Sequence, residues 1–411
     1  MVIWMEPSDS EIDGSFKYLL VSRAARSMAL IFTTLALPLY LKSLGYTLVN
    51  IGIVYLLVMA FNAAVALGLG SLGDRIGYKN SLMLGEVLPV VGLSMMAFFA
   101  APAFVIGGAV LSGISAVAGA VRGAFSPGSQ AFVARNWNNY NERVRRLGMI
   151  NAVAASFAIV GGVLLSLQGV IGDSIGTAGS FRLLFGFSSF LMLVSLVSLF
   201  GLKERQHVKK ETRFMKKSSQ SYVAKVAFTN ILNGAGLGIA MPLLPLWFSL
   251  VYHIGTPEIG ALFSLSYAAA AGSTYLSAKT AGMLKSSPLQ IGSATRMVQG
   301  GMLIAMVAMP TFALAGAVYV LRTAFAAFGM PYRGTVNLSG IENQDYGTGT
   351  SIIGVSARFA QLSSGLSGYL MDFLTPAPLV IGGILQFASG VAYFRLLRVK
   401  PPGGGEKSGM P

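Results

Sequence analysis

Six arginines stand inside long apolar segments of the chain: Arg23, Arg26, Arg122, Arg296, Arg322 and Arg358. Only one carboxylate, Glu86, clearly shares that setting. A guanidinium stays charged and offers five donors in a planar fork, which suits a carboxylate or phosphate held through two parallel hydrogen bonds. Six such cations against one anion make an anionic or acceptor-rich solute the preferred ligand. Loop acids such as Glu142 and Asp345, folded inwards, are the competing counter-ions. Other reactive groups are scarce. His207 and His253 fall outside the apolar segments, cysteine is absent, and no HExxH pair, P-loop or carboxylate cluster occurs. Thiolate, hydrolytic and nucleotide-driven chemistry therefore find no support, and neither a catalytic residue, a cofactor nor a metal is expected.

Spacing adds direction. Arg23 with Arg26, Asn230 with Asn233, Arg296 with Gln299, and Arg358 with Gln361 are i, i+3 pairs, and each pair shares one helix face. Arg322 and Arg358 stand about 11 or 12 residues into their segments, roughly 16–18 Å at 1.5 Å per residue, which is near mid-bilayer. A charge there costs at least about 2.5–3.5 kcal/mol, so both must line a watery passage or meet buried acids. Arg23, Arg122 and Arg296 lie within about two turns of a segment end and can snorkel. The candidates for a solute passage are Arg26, Asn230, Asn233, Arg322, Arg358 and Gln361; the alternative for the amides is helix-to-helix adhesion. Glu86 is the candidate proton-coupling group. Its alternative is an ion pair with Arg75, Lys79 or an arginine of the first segment.

The elements that must position these groups follow from composition. Of 411 residues 54% are hydrophobic and only 11% charged, with a mean hydropathy of +0.66, whereas a soluble domain carries about 25% charged residues. Apolar spans fall at 17–41, 47–72, 79–101, 103–134, 146–169, 180–201, 221–251, 257–281, 288–309, 311–340, 346–373 and 377–398. The expectation is an all-α polytopic membrane protein of twelve transmembrane helices. Residues 1–16 form a leading segment, 202–220 a basic linker between halves 17–201 and 221–398, and 399–411 a flexible tail. Fifty glycines serve close helix packing, and Gly234, Gly236, Gly238, Pro242 and Pro245 predict a bend in the seventh helix.

The excess of 30 basic over 15 acidic residues is one of topology, with no nucleic acid implied. Arg75, Lys79, Arg135, Arg143, Arg145, Arg146, the run from Lys203 to Lys217, Lys279 and Lys285 fall on one side; only Lys42 and Arg182 fall on the other. The bias places both termini in the cytoplasm of a cell lined by this membrane. The basic linker could also meet anionic lipid headgroups.

The two halves repeat. Leu37-Pro38-Leu39-Tyr40 matches Leu244-Pro245-Leu246-Trp247, Asn50-Ile51-Gly52 matches Glu258-Ile259-Gly260, and Pro102-Ala103-Phe104 matches Pro310-Thr311-Phe312. At the same offset Arg23 and Arg26 correspond to Asn230 and Asn233. Parallel repeats imply a pseudo-two-fold axis along the membrane normal with the path between two six-helix bundles.

Between the second and third spans stands Gly70-Ser71-Leu72-Gly73-Asp74-Arg75-Ile76-Gly77-Tyr78-Lys79. This resembles the signature of the major facilitator superfamily, of the twelve-helix type, with Tyr78 where the family usually has arginine. The resemblance implies a secondary active transporter, not an enzyme, working by alternating access on a small-molecule substrate. It also implies that Gly70, Gly73, Asp74, Arg75, Gly77 and Lys79 form a cytoplasmic latch. The expected cargo is an organic anion, with a proton or a counter-transported anion as the coupling partner, and the protein is expected to act as a monomer among membrane lipids. The family's fourth-helix arginine is absent, Ser115 standing in its place. The Gly-Pro of drug antiporters is also absent, with Phe157-Ala158 before Gly161-Gly162. A drug antiporter and a sugar or other neutral-solute carrier remain alternatives within the class, a channel or membrane-embedded enzyme outside it.

Overall fold

A computed structural model describes residues 8–114, 126–137, 139–205, 216–280, 283, 285–342 and 345–398. Arg122, most of the 202–220 linker and the 399–411 tail lie outside the described residues. Among the described residues fifteen α-helices occupy the expected spans. The first bundle holds α1 (Asp9–Ser43), α2 (Leu48–Ile76), α3 (Tyr78–Phe98), α4 (Pro102–Leu111), α5 (Ser126–Asn136), α6 (Tyr140–Ile175) and α7 (Thr177–Phe200). The second holds α8 (Lys217–Ala240), α9 (Leu244–Tyr252), α10 (Thr256–Thr280), α11 (Pro288–Val307), α12 (Phe312–Leu338), α13 (Tyr346–Ala360), α14 (Gly365–Phe373) and α15 (Ala377–Leu396). Eight of them, α1, α2, α3, α6, α7, α8, α12 and α15, are long and apolar enough to cross a membrane.

Local chemistry explains where elements start and stop. The helix expected from residue 17 begins at Asp9, because Ser8 and Glu11 form a reciprocal capping box that satisfies two otherwise orphaned amides. The seventh span breaks as its prolines predict: α8 ends at Ala240 and α9 restarts after Leu243 with Pro245 in its first turn. Proline removes a backbone donor and its ring crowds the preceding turn. Pro38, at the matching place, is accommodated inside an unbroken α1. The eleventh span carries an unforeseen interruption, a 3-10 turn over Gln361–Ser364 between α13 and α14.

Within the first bundle α1 packs on α6 and α7, and α3 on α4 and α7; in the second, α8 packs on α13 and α15, and α11 on α12 and α15. The bundles meet through α6 against α10 and α2 against α14. These are the fifth span on the eighth and the second on the eleventh, so the pseudo-two-fold exchanges one contact with the other. The apolar core records the same shape. Leu30, Tyr40, Val54 and Phe185 share one cluster with Trp247, Phe263, Tyr319 and Met371, joining the bundles at the end away from the termini. Towards the termini the core divides. Phe16, Leu19, Phe132 and Trp137 pack in the first bundle, and Tyr222, Val226, Val336 and Tyr393 pack separately in the second.

Candidate functional site

The intramembrane charges are held by side chains of their own bundles. Arg26 on α1 donates from Nη1 to Oε2 of Glu86 on α3 at 2.8 Å, and both are buried, Glu86 fully. One helical turn earlier Arg23 is also buried, and its Nε and Nη2, like Glu86 Oε1, have no hydrogen-bond partner. Two guanidiniums therefore share one carboxylate. In the second bundle Arg296 on α11 donates from Nη2 to Oδ1 of Asn230 on α8 at 2.6 Å and from Nη1 to Ser389 Oγ on α15 at 3.1 Å. Its guanidinium also stacks over the Tyr393 ring at 4.5 Å, a cation–π contact that needs no carboxylate.

These two crossings join equivalent helices, displaced by about one turn in the register of the repeat, and the cation comes from a different helix in each. The first helix of one bundle brings Arg26 to an acid on the third; the first helix of the other brings Asn230 to a base on the third. Each bundle thus keeps a polar tie between equivalent helices.

Arg322 on α12 is buried and donates from Nη2 to Gln386 Oε1 on α15 at 3.0 Å. Among the described residues no carboxylate lies within ion-pair distance of it. Asn233, Arg358 and Gln361 are half-buried. So Arg26, Asn230 and Arg322 sit in bundle interiors, while Asn233, Arg358 and Gln361 are the more accessible of the six candidates. Gln386 and Ser389, which hold two of the arginines, were not singled out in the sequence; two polar side chains i, i+3 in the twelfth apolar span were the available signal.

The loop between α2 and α3 is built around Gly77, whose φ of 93° ends one helix and opens the next, a conformation costly for any residue bearing a Cβ. The carboxylate that secures this turn is Glu204, just beyond α7. Its Oε1 accepts from the Tyr78 amide at 2.8 Å and its Oε2 from the Lys79 amide at 2.7 Å. A helix N-terminus favours negative charge in this way. Arg135 on α5 donates to Glu204 Oε1 at 2.6 Å and stacks over the Tyr78 ring at 5.3 Å, so the residue that departs from the family pattern is in use. Lys79 Nζ donates to the Phe200 and Leu202 carbonyls at 2.8 Å. Arg75 is exposed, and the side chain of Asp74 lies outside the described residues.

The bundles touch closely at the end away from the termini. A Cβ on Gly368 would run into the Leu48 carbonyl and the Gly52 amide, and one on Gly260 into Ser166. Hydrogen bonds cross here too: Ser166 Oγ to the Pro257 carbonyl at 2.9 Å, Ser264 Oγ to the Ile159 carbonyl at 3.0 Å, and Thr256 Oγ1 to Gln168 Oε1 at 2.5 Å. Near the termini, the ion pairs Arg135–Glu204, Arg146–Asp13, Arg205–Asp9 and Lys216–Glu342 each form without joining the first bundle to the second. Among the described residues the molecule is sealed at one end and divided at the other.

Two helical bundles around a pseudo-two-fold axis, closed at one face among the described residues, are the architecture of a polytopic membrane protein. The comparisons agree. Residues 19–341 match the Major Facilitator Superfamily, and the chain belongs to that family, which makes it a transporter and not an enzyme. It is similar to the crystal structure of a bacterial homolog of the human lysosomal transporter Spinster, in an inward-facing and occupied conformation. That likeness has a TM-score of 0.67 at 14% identity, covering 95% of this chain and 97% of that one. It is also similar to an auto-inhibited POT family peptide transporter, with a TM-score of 0.71 at 11% identity, covering 96% and 98%. No curated protein matches the chain.

Proposed function

We propose that this secondary transporter moves a small organic anion across the cytoplasmic membrane by alternating access, with both termini cytoplasmic. The observation that carries the reading is Arg322: a buried guanidinium at mid-span whose hydrogen-bond partner is the neutral Gln386, with no carboxylate within ion-pair distance among the described residues. A cation so placed is stabilised when an anion enters. The half-buried Asn233, Arg358 and Gln361 line the passage that reaches it, and Arg26 and Asn230 shape the passage from within their bundles. In this orientation the sealed end faces outwards and the divided end opens to the cytoplasm. The loop at Gly70, Gly73, Asp74, Arg75, Gly77 and Lys79 serves as the cytoplasmic latch of the other state.

Glu86 is the coupling group in this reading. It faces Arg26 at 2.8 Å with Arg23 beside it, so protonating it would leave two buried cations for one neutral acid, and a proton and an anion would favour entering together. The protein works as a monomer, its basic segments facing anionic lipid.

The test is uptake into proteoliposomes of labelled organic anions, sugars and lipophilic cations, with and without a pH gradient. Saturable organic-anion uptake with counterflow is expected. Transport of a sugar or a lipophilic cation that no organic anion inhibits would overturn the reading.

A further inference from the structure

Several donors in the second bundle are buried without an acceptor, and three of them surround Tyr319. The Arg322–Gln386 bond consumes the amide oxygen, which leaves Gln386 Nε2 as a donor; that nitrogen and Arg322 Nε both lack a partner. Tyr267 on α10 is buried with its hydroxyl equally unpartnered. It follows Phe263 by one helical turn on α10, and the Phe263 ring meets that of Tyr319, which precedes Arg322 by one helical turn on α12. The rings of Phe248 and Phe263 stand edge-on to Tyr319 at 6.1 and 5.1 Å, so the surroundings are apolar.

Buried donors without acceptors are uncommon in folded proteins, and each requires an explanation. Here Arg322 and Gln386 are hydrogen-bonded, Tyr267 stands on α10, which packs on the helix of Arg322, one of the three donors is charged, and the aromatic surroundings strengthen any electrostatic contact made there. We propose that Arg322, Gln386 and Tyr267 form a subsite for one anionic group, either a carboxylate of the cargo or a small free anion such as chloride. The subsite deepens the organic-anion reading and rests on it only for the first of these two sources.

The experiment is thermal unfolding of the full-length protein in micelles, titrated separately with sodium chloride, sodium acetate and sodium benzoate. Wild type, Arg322→Lys, Tyr267→Phe and Gln386→Leu are compared by the half-saturating anion concentration, which is read within each protein's own curve. At least one anion should raise the wild-type Tm saturably. Its half-saturating concentration should rise about tenfold in Arg322→Lys and in Tyr267→Phe, the loss expected when a hydrogen bond to a charged group is removed. Tyr267→Phe removes only a hydroxyl, so it remains informative where a polar-to-apolar change at Gln386 prevents folding. Saturation by acetate or benzoate assigns the site to cargo. Saturation by chloride alone supports the subsite while removing its support for the organic-anion function. The proposal is overturned if no anion stabilises the wild type, or if both single-group variants saturate at the wild-type concentration.

Discussion

Arg26 Nη1 and Glu86 Oε2 stand 2.8 Å apart between α1 and α3, and the equivalent crossing of the second bundle carries Asn230 and Arg296 at 2.6 Å. Each bundle ties its first helix to its third, about one turn apart in the register of the repeat, and the first helix supplies the cation in one bundle, the third in the other. Such a tie in hydrocarbon has little alternative: lipid offers neither partner a substitute, so register between the first and third helices of each bundle is set by it.

Glu86→Leu should therefore destabilise the protein by about 3–5 kcal/mol, because it leaves Arg26 buried without its counter-charge. Adding Arg26→Met should recover part of that loss, since it removes one of the two stranded charges while Arg23 stays buried. Chemical or thermal unfolding of the two singles and the double closes the cycle; equal Tm values for Glu86→Leu and the double would refute the pairing.

Replacing the same carboxyl by its neutral amide addresses coupling. Glu86→Gln is expected to transport with the same response at pH 6 and pH 8, where the wild type follows the imposed gradient. Uptake by Glu86→Gln that still tracks the gradient would assign coupling elsewhere.

Closure at the end away from the termini depends on backbone meeting backbone. Gly368→Val would place a side chain against the Leu48 carbonyl, and closely packed contacts do not absorb such volume. The population should shift towards molecules open at this end. Because the chain has no cysteine, a single Ser166→Cys reports on it: labelling by a water-soluble maleimide should quicken about tenfold in the Gly368→Val background, as expected for a population shift of about 1.4 kcal/mol. Unchanged labelling would show that α2 and α14 do not gate this face.

Glu204→Gln should cost about 1.5–3 kcal/mol, the value of hydrogen bonds to a charged group, since it weakens the tie to Arg135 and to the first amides of α3 at once. Thermal unfolding measures it. Loss no larger than that of an exposed surface change such as Asp173→Asn would contradict the assigned role.

Much of the architecture was legible because a bilayer leaves few choices. Backbone groups in hydrocarbon must bond within their own segment, so apolar length alone announced the helices, and Pro242 with Pro245 announced the break between α8 and α9. The 3-10 turn at Gln361 was not legible, since no proline or diglycine marks it and its register depends on Gly238 packing against Gln361 and Ser363. The carboxylate beneath the α2–α3 turn was hidden for a different reason. Glu204 stands between Lys203 and Arg205 in a basic run, and its partners at Tyr78 and Lys79 lie more than a hundred residues earlier.

By itself, then, the amino-acid order determined the helices, the twofold repeat, the scarcity of acids and the family signature, all of which rest on local composition or on comparing one half with the other. Only the tertiary structure decided which charges meet. It placed Arg26 on Glu86, gave Arg296 to Asn230 and Tyr393, left Arg322 on a neutral amide, and sealed one end while dividing the other. Helical periodicity tells which residues share a face; the rotation and depth at which two helices pack, set by side-chain volume and close backbone approach, tell which faces touch.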